Sequence, residues 1–426
     1  MRTREIISAY LCTSDISFYS QNKKLLMKAL LFILIVCFVS CSEAPLKGNI
    51  DIEKAMENVS KTPLVVEDYF PEIEYIPLET NDSSVIGMAP HMVVTKDVIV
   101  VSSLNQPLKI FDRKTGAFIG DVGSIGQGPK EYAKGGFNEV YFWVDMGTQN
   151  IYVQGWNNDF LVYDRTGKYL NKIKVNNEAS YNLFKCFFLM DNNKIWGHTK
   201  LHTEEDVPSV FCLDDHGNCL NELVTWTSDL FSLSDENLSI STRLGAYIGY
   251  GGHLTTIDGD DMANYCTVNS PSLWKSGKDI RLKQAFNDTI YNVTEKGLKP
   301  FEIIGLGKWH WEEKDAFQTA GCNDKISVDY ILESNDYLYF HLRTGLYDLK
   351  NTKVYAGFYD KETKQVSLME GHALKDEANN QLLSLRGTTP SGGFCALIAT
   401  DKLSEENITR LKLDEDANPV VVIVEP

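Results

Sequence analysis

One pattern recurs along this chain at a nearly constant spacing, and it limits the possible folds more than any other feature. Leu108-Lys-Ile-Phe-Asp112-Arg-Lys-Thr-Gly116-Ala-Phe-Ile is echoed by Phe160-Leu-Val-Tyr-Asp164-Arg-Thr-Gly167-Lys-Tyr-Leu and by Val210-Phe-Cys-Leu-Asp214-Asp-His-Gly217-Asn-Cys-Leu. A weaker copy is Ala356-Gly-Phe-Tyr-Asp360-Lys-Glu-Thr-Lys364-Gln-Val. Each copy reads as a strand, a turn opened by Asp and holding a residue that tolerates positive φ, and a second strand, which together make a β-hairpin. The Asp carboxylate accepts backbone N–H bonds from such a turn, which gives a physical reason for its recurrence.

The spacing decides how the hairpins are used. Asp112, Asp164 and Asp214 lie 52 and 50 residues apart. A further short strand pattern precedes each hairpin, at Val98–Ser102, Asn150–Gln154 and Lys194–Gly197, and the last two are preceded by another at Glu139–Trp143 and Phe184–Met190. Four strands per period of about 50 residues matches a β-propeller blade. A sandwich of similar hairpins has no reason to repeat its turn chemistry at fixed intervals. The 355 residues from Glu72 to Pro426 hold six or seven such units. The periodicity weakens between Leu233 and Ser276, Lys402–Leu413 reads as a short inserted helix, and Val420–Val424 reads as a strand buried on both faces that closes the ring.

The N-terminus carries an address. Lys23, Lys24 and Lys28 precede the apolar run Ala29–Phe38, followed by Val39, Ser40 and Cys41. This is the layout of a secretory signal, too short to span a bilayer. Val-Ser-Cys after an apolar core resembles a bacterial lipobox, although Phe38 stands where that motif has Leu. The resemblance implies diacylation of Cys41 and a lipid bilayer as partner. The expected organisation is a signal peptide over 1–40 (with Met27 as the natural start), a lipidated polar tether over 41–61, and one propeller domain over 62–426.

Charge and cysteines fit export. The chain has 41 basic and 58 acidic side chains, a formal charge of −17; without residues 1–40 the balance is 36 to 56, or −20. Such a surface repels phosphate backbones and excludes nucleic acid as an expected partner. Six cysteines follow Cys41, with no C-x-x-C and no zinc spacing. Cys186, Cys212 and Cys395 sit in apolar runs and read as buried thiols, while Cys212–Cys219 is the pairing to test.

A specific resemblance follows from other segments. Ile76-Pro-Leu-Glu-Thr80, Phe111-Asp112, Gly123-Ser-Ile-Gly-Gln-Gly-Pro-Lys-Glu-Tyr132, Ile151–Asp164, Phe286-Asn-Asp-Thr-Ile-Tyr291 and Asn418–Val424 resemble the six-bladed β-propeller lipoproteins of bacteria, relatives of NHL-repeat and TolB-like propellers. The resemblance implies an all-β fold of six four-stranded antiparallel blades and an outer-membrane lipoprotein facing periplasm or cell surface. It implies no particular chemistry.

Motifs for chemistry are sparse. Gly123-x-x-Gly126-x-Gly128 lacks the order and context of a dinucleotide fingerprint and reads as a tight inter-blade turn. His198 and His202 share a strand face, and Asp258-Gly-Asp260-Asp261 has some calcium-loop character without the ligand alternation of an EF-hand. Calcium is therefore the one cofactor kept in view, and none is expected. No Gly-x-Ser-x-Gly occurs, and no catalytic residue is assigned. The expected function is an envelope binding or scaffold module for a glycan or envelope protein, bound at the channel mouth or loop face. Ligand-facing candidates are Trp156, Asn157, Trp309, His310 and Trp311, because stacked Trp faces suit sugars. The rival is a propeller enzyme, either a glycan lyase or hydrolase or a metal-dependent lactonase-like one.

Overall fold

The structure, a computed structural model, describes residues 48–134, 138–175, 186–199, 208–226, 241–243, 250–258, 262–315, 322–348 and 350–426. Six four-stranded antiparallel sheets follow one another as blades of a propeller. Blade 1 runs from His91–Val94 to Phe118–Val122, blade 2 from Phe142–Val144 to Tyr169–Lys174, and blade 3 from Cys186–Asp191 to Cys219–Val224. Blade 4 runs from Leu273–Ser276 to Gly297–Gly305 and blade 5 from Ser327–Glu333 to Val366–Glu370. Blade 6 takes Leu385–Thr388, Phe394–Ile398 and Val420–Glu425 from the C-terminus and its outermost strand, Glu72–Pro77, from the N-terminus. Val420–Glu425 is thus hydrogen-bonded on both edges and closes the ring as its sequence suggested.

The continuous apolar strands have a simple cause. Alternate side chains leave opposite faces of a strand, and here each face meets a neighbouring blade. Val98 and Val100 pack toward blade 2, whereas Ile99 and Val101 pack toward blade 6. Val421 and Ile423 face blade 1, while Val420, Val422 and Val424 face blade 5. A hydrophobic cluster fills each of the six inter-blade contacts.

The repeated turns behave as their chemistry requires. Asp112 Oδ1 accepts from the backbone N–H of Lys114 and Thr115 (3.0 and 2.8 Å), Asp164 Oδ1 from Thr166 and Lys168 (2.8 and 3.1 Å), and Asp214 Oδ1 from His216 and Asn218 (2.9 and 2.8 Å). The glycines do more than permit φ of +71°, +83° and +82°. A Cβ on Gly116 would lie 1.9 Å from the Pro77 carbonyl oxygen, one on Gly167 2.3 Å from that of Asp121, and one on Gly217 2.2 Å from that of Lys174. Each of those carbonyls lies at the end of the preceding blade's outermost strand. The turn docks one blade on the next, backbone to backbone.

Three segments depart from the repeat. Between blades 3 and 4, where the periodicity weakens, lies a three-stranded sheet of Ser241–Arg243, Tyr250–Asp258 and Met262–Ser270, whose last strand runs beside Ser327–Glu333. A helix, Glu405–Leu411, capped by Ser404, precedes the last strand as expected. The third departure corrects the sequence reading. The part of the expected tether from Gly48 to Lys61 is not a free linker: Ile50–Asp51 adds a parallel strand to the edge of blade 4, Ile52–Met56 is a helix capped by Asp51, and Ser60 bridges to Met369 on the edge of blade 5. Ile50 and Ile52 are fully buried, so apolar burial holds this otherwise polar segment in place and covers two open sheet edges.

Cys186, Cys212 and Cys395 are buried, as expected. Cys212 and Cys219 do not bridge. Cys212 sits opposite Asn221 and Cys219 opposite Leu213, so the two thiols leave the hairpin on different faces. Among the described residues no helix is long and apolar enough to cross a membrane.

Candidate functional site

The innermost strands of all six blades converge on one cavity of about 390 Å³ at the end of the channel where those strands finish. Met92, Trp143, Phe188, Trp274, Ile331 and Arg386, one from each blade, place it on the axis. The volume lies in the range of small-molecule sites. Most of the lining is apolar, and its charged groups are organised.

Glu333 ends the innermost strand of blade 5 with its carboxylate fully buried. It is held by Lys361 Nζ at 2.8 Å, Arg281 Nε at 3.3 Å and the Trp274 indole Nε1 at 2.6 Å. Burial pushes its carboxyl pKa up, but Lys361 and Arg281 outweigh that and hold it below the ordinary value. Arg281 is itself sandwiched against the Phe301 ring, 3.8 Å from its centroid. Lys275 on the rim pairs with Asp191. At the other end of the Glu333 strand, buried Asp329 takes Arg343 through two bonds (3.0 and 3.2 Å) and lies 3.4 Å from His341 Nδ1. Burial raises the Asp329 carboxyl and the His341 and Arg343 partners bring it below its usual range. His341 stacks on Tyr330 with ring centroids 4.6 Å apart, and Ser327 Oγ donates to the Asp329 carboxylate at 2.9 Å.

The residues singled out from the sequence lie elsewhere. Trp156 and Asn157 are exposed on the turn between the second and third strands of blade 2, where Trp156 Nε1 donates to the Gly126 carbonyl at 2.6 Å. Gly123–Gly128 is a structural loop, braced by Glu131 Oε2 accepting from Gly128 N at 2.7 Å and by Tyr132 donating to the Val122 carbonyl at 2.6 Å. Trp309, His310 and Trp311 follow blade 4 at its contact with blade 5. Trp309 packs against the core cluster that includes Ile50 and Ile304, and Trp311 is buried against Phe286. His310 Nδ1 lies 2.7 Å from Asp288, and that hydrogen bond raises the imidazole pKa. Beside them is a hollow of only about 20 Å³, room for one water, next to Lys283, whose burial lowers its pKa to about 8. The two groups of candidates are not brought together, and neither lines the axial cavity.

His198 is buried with Nδ1 2.9 Å from Ser272 Oγ; His202 and residues 259–261 of the calcium-like loop lie outside the described residues. Among the described residues no group of three His, Cys, Asp or Glu is placed to hold a metal ion. The sequence reading missed Trp143, Trp274, Glu333 and Arg386. The one signal available was position: each lies on, or at the end of, the first strand of its period, which a propeller places at the axis.

Comparison with known proteins agrees with the propeller fold. A protein of Bacteroides fragilis NCTC 9343, provisionally designated as exported, superimposes with a TM-score of 0.56 at 15% identity, covering 86% of this chain and 98% of its own. The C-terminal WD40 domain of Sif2 (TM-score 0.34, 9% identity, 82% of this chain and 84% of that one) and the designed Ika8 protein (0.35, 10%, 82% and 99%) are similar too weakly to carry an inference. No curated protein matches the chain. The match that spans the propeller is to a family: over residues 47–425 the chain belongs to the family described as Domain of unknown function (DUF4934).

Proposed function

We propose that this chain is an exported β-propeller tethered to the cell envelope, acting as a binding or scaffold module whose ligand enters the channel mouth. The observation that carries this reading is the cavity of about 390 Å³ on which all six innermost strands converge. A closed ring of sheets is a rigid frame, and a ligand-sized hollow on its axis suits holding a partner. The signal-type segment before Cys41 and the designation of the Bacteroides fragilis neighbour support export. Two acyl chains on Cys41 supply the anchor to the outer membrane, since stable anchoring takes two such signals. Kinship with NHL-repeat and TolB-like propellers is proposed on the sequence motifs. The partner is a glycan or an envelope protein, and exposed Trp156 and Asn157 offer it a second contact on the loop face.

Two measurements test this. The full-length chain should partition into the detergent phase and Cys41→Ala should move it to the aqueous phase; a Cys41→Ala protein still in the detergent phase refutes lipidation. On an array of envelope glycans, or against detergent-solubilised envelope proteins, binding should saturate, proceed without turnover and be lost in Thr388→Trp, which fills the mouth. Turnover of a glycan would establish the enzyme reading instead.

A further inference from the structure

We infer that the group seated in the channel mouth is an amphipathic anion, a carboxylate or sulfonate carried on an apolar body. This rests on the channel mouth being the binding site. It follows from which charges in the lining are already satisfied and which is not. The Glu333 carboxylate is fully buried and saturated by Lys361, Arg281 and the Trp274 indole, two cations to one anion, so it has nothing left for a cationic ligand. Lys275 is neutralised by Asp191.

Arg386 differs from these. It lies exposed on the innermost strand of blade 6, lines the cavity, and has no carboxylate within ion-pair distance among the described residues. Its aromatic neighbour is Tyr330, 5.8 Å from Cζ to the ring centroid. Its guanidinium is a donor only, so the ligand must bring acceptors. A guanidinium fork matches a planar carboxylate in two parallel bonds, and its pull is stronger in a partly apolar hollow than in water. Met92, Phe188 and Ile331 form apolar lining beside it. A plain hydrophobe would leave Arg386 unmet, and a bare hydrophilic anion would leave that lining in water. An amphipathic anion answers both.

The test pairs two probes that share their rings and differ in charge: 8-anilinonaphthalene-1-sulfonate and N-phenyl-1-naphthylamine, titrated by fluorescence into the full chain. The sulfonate should bind saturably, and octanoate should displace it more effectively than octan-1-ol. Arg386→Gln should weaken the sulfonate by about 10-fold, the scale of one charge-assisted hydrogen bond, and the neutral probe by less than about 2-fold. Arg386→Lys, which keeps the charge but loses the fork, should fall between. Sulfonate binding that is absent, or that ignores Arg386→Gln, overturns the anion inference; if Thr388→Trp then still blocks the neutral probe, the channel-mouth reading stands by itself. Both probes binding undiminished to Thr388→Trp would place the site elsewhere and remove both.

Discussion

Blades 1 to 3 and blades 4 and 5 solve the same packing problem differently. In the first group a glycine turn presses its backbone onto the outermost strand of the blade before it, and Glu79 N–H donates to the Gly116 carbonyl across one such contact at 2.8 Å. In blade 4 the corresponding Gly297 has open space around it, and in blade 5 the left-handed position is taken by Lys364, whose ammonium reaches Glu302 at 3.7 Å. Those blades are secured instead by the strand and helix at Ile50–Met56 and by the buried Glu333 and Asp329 networks. The regular repeat is therefore the signature of a docking contact. Where another device does the docking, the turn pattern is weaker.

Deleting residues 418–426 removes a strand paired on both edges and opens the ring; no soluble folded protein should be recovered, and a truncated protein with an unchanged melting temperature would sink ring closure as the dominant contact. Glu333→Gln removes the fully buried anion shared by Lys361 and buried Arg281, leaving Arg281 only Asp279 at 3.4 Å, and should cost about 3 kcal/mol in denaturant unfolding. Because Glu333 and Asp329 both have folded pKa values below their unfolded ones, their stabilisation is full above the unfolded carboxylate pKa and is lost as pH falls through the folded values. Acid unfolding should therefore be shallower in Glu333→Gln.

Next in size, Gly167→Ala should cost about 2–3 kcal/mol, combining strain at positive φ with the clash on Asp121, against about 1 kcal/mol for Gly277→Ala, at φ +57° with open space around its Cβ, where only strain applies. Equal costs would mean that the turn glycines serve conformation alone. The smallest effect belongs to His310→Gln, at most about 1 kcal/mol for a half-buried pair. The His310 pKa is raised in the folded state, so its contribution is full below the usual histidine value and disappears as pH rises through the folded one. Melting temperature against pH should show that slope in the wild type and lack it in the variant.

Legibility tracked locality. The hairpins, the helix near Glu405 and the Val420–Val424 strand were readable because period-two patterning and turn chemistry are written in consecutive residues. The segment from Gly48 to Lys61 was not, since Ile50 and Ile52 are isolated apolar residues whose groove exists only once Ile304 and Leu306 of blade 4 are in place. Trp309-His-Trp311 stood out as a motif, yet its rings serve the contact between blades 4 and 5. Arg386 and Glu333 had no motif at all: a lone charge in a strand looks the same whether it faces solvent or the axis.

By itself, the sequence determined the period, the turn chemistry and hence an all-β propeller, because each blade is assembled from neighbours along the chain. The tertiary structure agrees with the six blades that the family resemblance implied and the period alone left at six or seven, and only it decided where the N-terminal segment lies and which charges meet at the channel mouth. Those outcomes depend on residues from Met92 to Arg386 that share no local pattern and become neighbours only when six strands are brought to one axis.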